Sequence, residues 1–157
     1  MNTVNFANTQ SFPANSLALP ELLDLAKLAN PQLIDHFECT EYPNGSQYSI
    51  KFQLAHLFRE FRVPQICGEF DVNSKRNGDG GIEYSAISTI DRDICKLDSL
   101  VVEVSNNGTQ IRMTGVAQVD KEIPGLVITA AKRMLKLAMK ATAEYMSAIS
   151  ASTKKTI

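Results

Sequence analysis

The change of hydrophobic period at Pro124-Gly125 constrains the fold more than any other feature of this sequence. Before it, apolar and polar residues alternate over several short runs, and this is the period of half-buried β-strands. After it, residues 126–150 contain no proline or glycine and are rich in Ala, Leu, Met and Lys, which are strong helix formers. The sequence therefore predicts consecutive strands followed by one long helix.

Tight turns join the alternating runs. Asn44-Gly45 separates one pair of runs, and Asn106-Asn107-Gly108 separates the last pair. The glycine-rich segment 73–81 is predicted to be the tip of another hairpin. Strands joined by hairpins pair antiparallel, and Val4 and Phe6 indicate a further short strand near the N-terminus. We therefore expect an antiparallel sheet of about seven strands.

Short helices are predicted between the first strand and the remaining strands. Leu19–Ala29 has a helical pattern with Pro20 in its first turn, and Asn30-Pro31 ends it. A second short helical turn is predicted at Leu33 and Ile34. A sheet of this size curves, and the long helix would close its concave side. The predicted class is α+β with a helix-grip architecture: a curved antiparallel sheet wrapped around the long C-terminal helix, with two short helices after the first strand. We expect one domain over residues 1–151 and a flexible tail over 152–157.

Composition excludes several other classes of protein. The 157 residues are 44% hydrophobic with a net charge of −1, which excludes a disordered chain and gives no basic excess for nucleic acid. No apolar run is long enough for a membrane span. Three cysteines do not form a disulfide framework, and the N-terminus lacks the pattern of a signal peptide. We therefore expect a cytoplasmic protein with reduced thiols.

Charge is unevenly distributed along the chain. Residues 1–125 carry a net charge of −6, whereas residues 126–157 carry +5. Four cations of the helix fall within an arc of about 120° at helical spacing: Lys132, Arg133, Lys136 and Lys140. This basic face is either an ordinary solvated helix surface or a docking surface for anionic lipid headgroups or an acidic protein partner.

The chain resembles the START-like, or SRPBCC, superfamily over about residues 3–150. The resemblance depends on the order of elements, on the segment from Leu22-Leu23-Asp24 through Asn30-Pro31-Gln32-Leu33-Ile34, and on the Pro124-Gly125-Leu126 entry to the last helix. It is nearest to the branch that contains carbon monoxide dehydrogenase-associated proteins and polyketide cyclase or lipid-transport-like proteins. Asn30 stands where such proteins usually have aspartate.

This resemblance implies a cavity between sheet and helix that holds an apolar molecule or lipid. Alternation and the helical wheel give the candidate cavity residues, which could equally form a filled core: Phe52, Phe70, Tyr84, Met113, Met134, Ala138 and Tyr145. No family active-site motif can be matched to this sequence. We expect neither a metal site nor a cofactor, and the oligomeric state is left open.

Catalysis has little support in the sequence. His56 and Cys67 could form a nucleophilic pair on neighbouring strands, but burial of Cys67 as a small apolar residue is the better interpretation. Asp35 and His36 are adjacent, so a strand would direct them to opposite faces. The sequence favours binding, possibly with transport, of a hydrophobic molecule. The alternatives are a non-enzymatic interaction module that uses the basic face and, with less support, a cyclase-type enzyme.

Overall fold

The computed structural model describes residues 2–54, 67–89 and 95–155. These residues form seven strands and two helices, in the order β1 (Asn2–Ser11), α1 (Leu19–Ala29), β2 (Ile34–Glu41), β3 (Gln47–Leu54), β4 (Cys67–Arg76), β5 (Ile82–Ser88), β6 (Cys95–Val104), β7 (Gln110–Val119) and α2 (Gly125–Lys155).

All seven strands belong to one antiparallel sheet, as the sequence predicted. Its order is β1-β7-β6-β5-β4-β3-β2, so β2 to β7 each lie beside their neighbours in the chain. The N-terminal strand instead pairs with the last strand, from Asn2 opposite Val119 to Ser11 opposite Gln110. β1 is longer than Val4 and Phe6 alone indicated, because it pairs with β7 along its whole length.

The predicted hairpin turns at 43–46 and 106–108 are confirmed. The Gly45 N–H donates to the Tyr42 carbonyl at 3.0 Å, and the Gly108 N–H donates to the Ser105 carbonyl at 2.8 Å. The predicted loop at 73–81 is shorter than expected, because β4 continues to Arg76 and pairs with β5 as far as Ile82. The alternation that begins at Tyr48 predicts that β3 extends past Phe58, and this extension lies outside the described residues.

Two irregularities interrupt the otherwise regular pairing. One lies between Ile34 and His36 in β2, and the other lies between Leu97 and Ser99 in β6. Each inserts one residue into its strand. Leu97 and Leu100 therefore share a face of the sheet although three positions separate them. We call this face, which also carries Ile111, the inner face, and the opposite one the outer face.

Helix α1 begins and ends where its sequence predicts. Pro20 occupies the first turn, and Glu21 adds a negative charge beside the positive end of the helix dipole. Asn30 follows the last helical residue. The predicted second short helix is a single turn, in which the N–H groups of Leu33 and Ile34 both donate to the Asn30 carbonyl. Ile34 already belongs to β2.

Helix α2 has 31 residues and is about 46 Å long. It extends through residues 152–155, which were expected to belong to a flexible tail. Its buried residues are Val127, Met139, Thr142, Ala143 and Met146. On a helical wheel the apolar residues of α2 lie opposite the basic ones, yet among them Ala131 is exposed and Ile149 is 41% exposed. The buried stripe is therefore rotated toward Met139 and Ala143.

Three apolar clusters lie between the inner face and the helices. The first joins α2 to β7 and to the segment after β1, through Phe12, Ile111, Met139, Ala143 and Met146. The second lies on β3, β4 and β5 under α1, through Ile50, Val72, Tyr84 and Ala86. The third surrounds Val127 at the start of α2, with Leu33, Ile123, Ala130 and Met134 packed against it.

Among the described residues, neither α1 nor α2 contains an apolar stretch of the length that a membrane-spanning helix needs.

Candidate ligand-binding site

The four candidate positions on strands share the inner face. Phe52 lies opposite Gly68, two residues before Phe70. Phe70 lies opposite Ser88, four residues after Tyr84. Across the next strands, Tyr84 pairs with Val102 and Val102 pairs with Met113. Because side chains alternate along each strand, these pairings direct all four candidates toward the helices.

The seven candidates nevertheless contact different parts of the interior. Tyr84 belongs to the cluster under α1, where Phe52 and Phe70 also pack. Met113 packs under α2 with Ile111, and Met134 packs against Val127. Ala138 and Tyr145 are half-buried on α2. Five of the candidates are therefore divided among three apolar clusters, Ala138 and Tyr145 belong to none of these clusters, and the seven do not form one site by contact.

Helix α1 contributes residues that the sequence did not single out. Leu19 and Leu23 pack against the cluster of Ile50, Val72, Tyr84 and Ala86. The sequence predicts that α2 covers the inner face, whereas α1 covers its β3–β5 part. The leucine spacing of α1 indicates that one side of this helix is buried, but it does not indicate which strands receive it.

Packing on the inner face is incomplete. The core side chains retain 4–8% of their surface, and none of the large side chains that the structure describes is fully shut off from solvent. Phe52 and Phe70 are only half-buried, and Phe52 stacks on Phe37 with ring centroids 6.4 Å apart. Domain interiors are normally close-packed. The aromatic inner face of β2–β4 is therefore accessible apolar surface.

A pair of tyrosines adds polar groups to this apolar face. Tyr48 and Tyr84 meet edge to face with ring centroids 6.4 Å apart. Burial raises the pKa of Tyr84, with a further contribution from Tyr48. Burial is also the largest cause that raises the pKa of Tyr48, and the nearby Glu41 and Cys39 raise it further. Both phenols therefore remain protonated at neutral pH and can donate hydrogen bonds.

The two described free thiols are also held in the protonated form. Burial raises the pKa of Cys39 and that of Cys95, and the negative charges of Glu41 and Asp24 raise the pKa of Cys39 further. A protonated thiol is a poor nucleophile. His56 lies outside the described residues, so the pairing of His56 with Cys67 stays a prediction. Within the described ranges, no group of three His, Cys, Asp or Glu side chains is placed to hold a metal ion.

The basic face of α2 is exposed to solvent. Lys132, Arg133, Lys136 and Lys140 are all exposed, and the ion pairs seen among the described residues, His36–Glu38 and Lys75–Glu83, lie elsewhere. Three large apolar side chains of α2 are also exposed, Leu126 at 67%, Leu137 at 49% and Ile149 at 41%. Leu137 lies four residues after Arg133 and three before Lys140, so it shares their side of the helix.

A shallow depression of about 270 Å³ lies on the other side of the sheet. It is lined by outer-face side chains of β1, β6 and β7, among them Asn5, Ser99, Val101, Thr114 and Val116. The sequence did not predict it. It is open to solvent and is separated by the sheet from the seven candidate residues.

Comparison with known proteins identifies the fold. No protein-family profile and no curated protein sequence matches the chain. Among solved structures, human StAR-related lipid transfer protein 5 superposes with a TM-score of 0.64 at 11% identity, over 90% of this chain and 74% of that one. Human STARD10 gives 0.61 at 10% identity, over 98% and 66% of the two chains.

A third solved structure is the di-domain ARO/CYC BexL from the BE-7585A biosynthetic pathway. It gives a TM-score of 0.52 at 11% identity, over 92% of this chain and 48% of that one. The chain therefore has the START-like, or SRPBCC, helix-grip fold that the sequence resemblance implied. At these identities the likeness concerns the fold alone, and the nearer resemblance to carbon monoxide dehydrogenase-associated proteins stays a prediction.

Proposed function

We propose that this protein binds an apolar small molecule or lipid between the inner face of the sheet and the two helices. The observation that carries the proposal is the half-buried aromatic surface of Phe37, Phe52 and Phe70 on that face. Apolar area left accessible inside a domain is stabilised when a ligand covers it, by about 25 cal/mol per Å². The name of one human neighbour, StAR-related lipid transfer protein 5, agrees with such a ligand.

A tryptophan reporter can test where the ligand binds, because the sequence contains no tryptophan. We expect the Phe52→Trp variant to change its emission when 1-decanol is added, since the alkyl chain replaces water beside the indole. The matched control is Tyr42→Trp, at a position that is 44% exposed near the β2–β3 turn. Its emission should not change over the same titration.

Direct binding is measured in parallel with the neutral dye Nile red. Delipidated protein should bind the dye with increased emission, and decanol should displace it. Native mass spectrometry before delipidation should show a co-purifying apolar species. A protein that binds neither Nile red nor decanol, with both reporter variants silent, would mean that the inner face is a filled core and not a binding site.

The basic face of α2 supports a second candidate function, docking on an anionic membrane surface. Exposed Leu126 and Leu137 accompany four exposed cations on the same helix. Such a combination suits a lipid surface, where anionic headgroups attract the cations and the interface takes up the leucines. Docking of an acidic protein is the alternative that the same charges allow.

Charge reversal tests the membrane candidate. Each cation near an anionic surface contributes about 1 kcal/mol of binding free energy. We therefore expect Lys136→Glu/Lys140→Glu to lower the affinity for phosphatidylserine-containing vesicles, measured by sedimentation, at least about 30-fold. Lys51→Glu/Arg112→Glu changes the net charge equally at exposed outer-face positions, on the side of the sheet away from α2, and should have a smaller effect. Equal losses in the two variants, or no binding by the unaltered protein, would exclude this surface as a membrane site.

A further inference from the structure

The hydroxyl of Tyr84 is a buried polar group without a hydrogen bond to any residue that the structure describes. Tyr84 is 5% exposed and lies on the inner face of β5. Its ring contacts Tyr48, and its neighbours under α1 are the apolar side chains Leu19 and Leu23. A phenol in an apolar environment normally has a hydrogen-bond partner.

The Tyr84 oxygen is not among the sealed and unpaired polar atoms of the described residues. In the described part of the chain, no side-chain nitrogen or oxygen that is sealed from solvent lacks a hydrogen bond. Because no described residue pairs with the Tyr84 hydroxyl, we infer that it is open to a molecule within the apolar site. A ligand oxygen at this point would satisfy a group that folding leaves unpaired, so the bond adds affinity without breaking an existing one.

Two acidic residues lie near Tyr48 and Cys39, which neighbour this position on the inner face. Glu41 lies directly opposite Tyr48 in the β2–β3 pair, and both point to the inner face. Asp24 on α1 acts on the neighbouring thiol of Cys39, as Glu41 does. Arg76 shares the inner face at the hairpin end of β4, and all three of these charged residues are exposed. Two negative charges thus stand against one positive charge, so a ligand with an anionic head would meet net repulsion, and an uncharged head would not.

We propose that the Tyr84 hydroxyl is the polar contact of the apolar site and that it selects an uncharged ligand oxygen, an alcohol or a ketone, over a carboxylate. This inference rests on the proposed function, because it describes the head-group end of the same site. The occupant is thus a neutral, largely apolar molecule with one hydrogen-bonding oxygen. Water bonded to the hydroxyl is the alternative, and displacement measurements separate the two.

The test compares molecules with the same ten-carbon chain and different heads, by displacement of Nile red at pH 7.5. We expect 1-decanol to displace the dye at about tenfold lower concentration than decanoate, because Glu41 and Asp24 repel the carboxylate. Tyr84→Phe should weaken decanol about fivefold and leave decanoate unchanged. The control Tyr42→Phe removes the same hydroxyl at an exposed tyrosine and should alter neither.

Stability measurements distinguish a ligand contact from a structural role. The ligand-free Tyr84→Phe variant should be at least as stable as the unaltered protein, since it removes a buried hydroxyl without a partner. Glu41→Gln/Asp24→Asn should narrow the difference between decanol and decanoate. Unchanged decanol binding by Tyr84→Phe, or equal displacement by the two heads in the unaltered protein, overturns the inference while the proposed function stands. Failure of every molecule to displace or bind would instead reject the proposed function and this inference with it.

Discussion

Asn30→Asp is expected to lower the free energy of unfolding by about 3 kcal/mol at neutral pH. The Asn30 side-chain amide donates to the Ala26 carbonyl at 2.8 Å, the Ala138 carbonyl at 3.3 Å and the Thr142 hydroxyl at 3.2 Å. It therefore ends α1 and ties α1 to α2 at the same time. A carboxylate has no proton to donate and would face two carbonyl oxygens. Denaturant unfolding of both proteins measures the difference.

The pH dependence identifies the cause of this loss. Protonation removes the charge and restores one donor, so the stability deficit of Asn30→Asp should be largest at neutral pH and should shrink as the pH falls toward about 4. The matched control is Asn44→Asp in the β2–β3 turn. There the side-chain oxygen accepts from the Ser46 N–H at 3.2 Å, and a carboxylate accepts equally well. A deficit of the same size at Asn44, or one independent of pH, would contradict the assigned role of Asn30.

Gly108→Ala is expected to cost about 3 kcal/mol, against about 1 kcal/mol for Gly45→Ala. Both glycines have left-handed backbone, with φ of 71° and 67°. A Cβ at Gly45 meets nothing within 4 Å, whereas one at Gly108 meets the carbonyl oxygen of Asn15. The two variants share the backbone strain, and their difference isolates the contact with Asn15.

Asn15 cannot move away from Gly108 without breaking hydrogen bonds, and this is why we expect the larger cost. The Asn15 backbone N–H donates to the Asn107 carbonyl at 2.9 Å, and the Asn15 side-chain amide donates to the Gly108 carbonyl at 2.9 Å. These bonds fix the connection between β1 and α1 to the β6–β7 hairpin. Urea unfolding of both alanine variants tests the prediction. Equal losses of stability at the two glycines would show that the segment around Asn15 can move away from the added methyl group without a cost in free energy.

The strands and the long helix could be predicted because their signals are local. Alternation and the Asn-Gly turn at 44–45 define a hairpin without reference to the rest of the chain. Because successive side chains of a strand point to opposite faces, the same alternation places Phe52, Phe70 and Tyr84 on one face. The absence of proline and glycine defines α2. Asn30 was predicted from the sequence to end α1, but the role of its side chain required the positions of Ala138 and Thr142.

The remaining features depend on contacts between distant segments. The apolar residues of α2 spread over about half of the helical wheel, so the wheel did not define which of them are buried, and Met139 and Ala143 proved to be buried. Nothing local in α1 indicates that Leu19 and Leu23 cover β3–β5. Of the tyrosine pair on β3 and β5, the sequence identified Tyr84 as a candidate site residue but not Tyr48, because Tyr48 follows the same alternation as its apolar neighbours.

The pairing of β1 with β7 has a consequence for the order of events during synthesis. Val4 and Phe6 are synthesised more than a hundred residues before their partners Ala117 and Gly115. Until then β1 has no strand to pair with, and contacts of such long sequence separation form slowly. The nascent sheet can grow from β2 toward β7, but the first strand made is the last to be added.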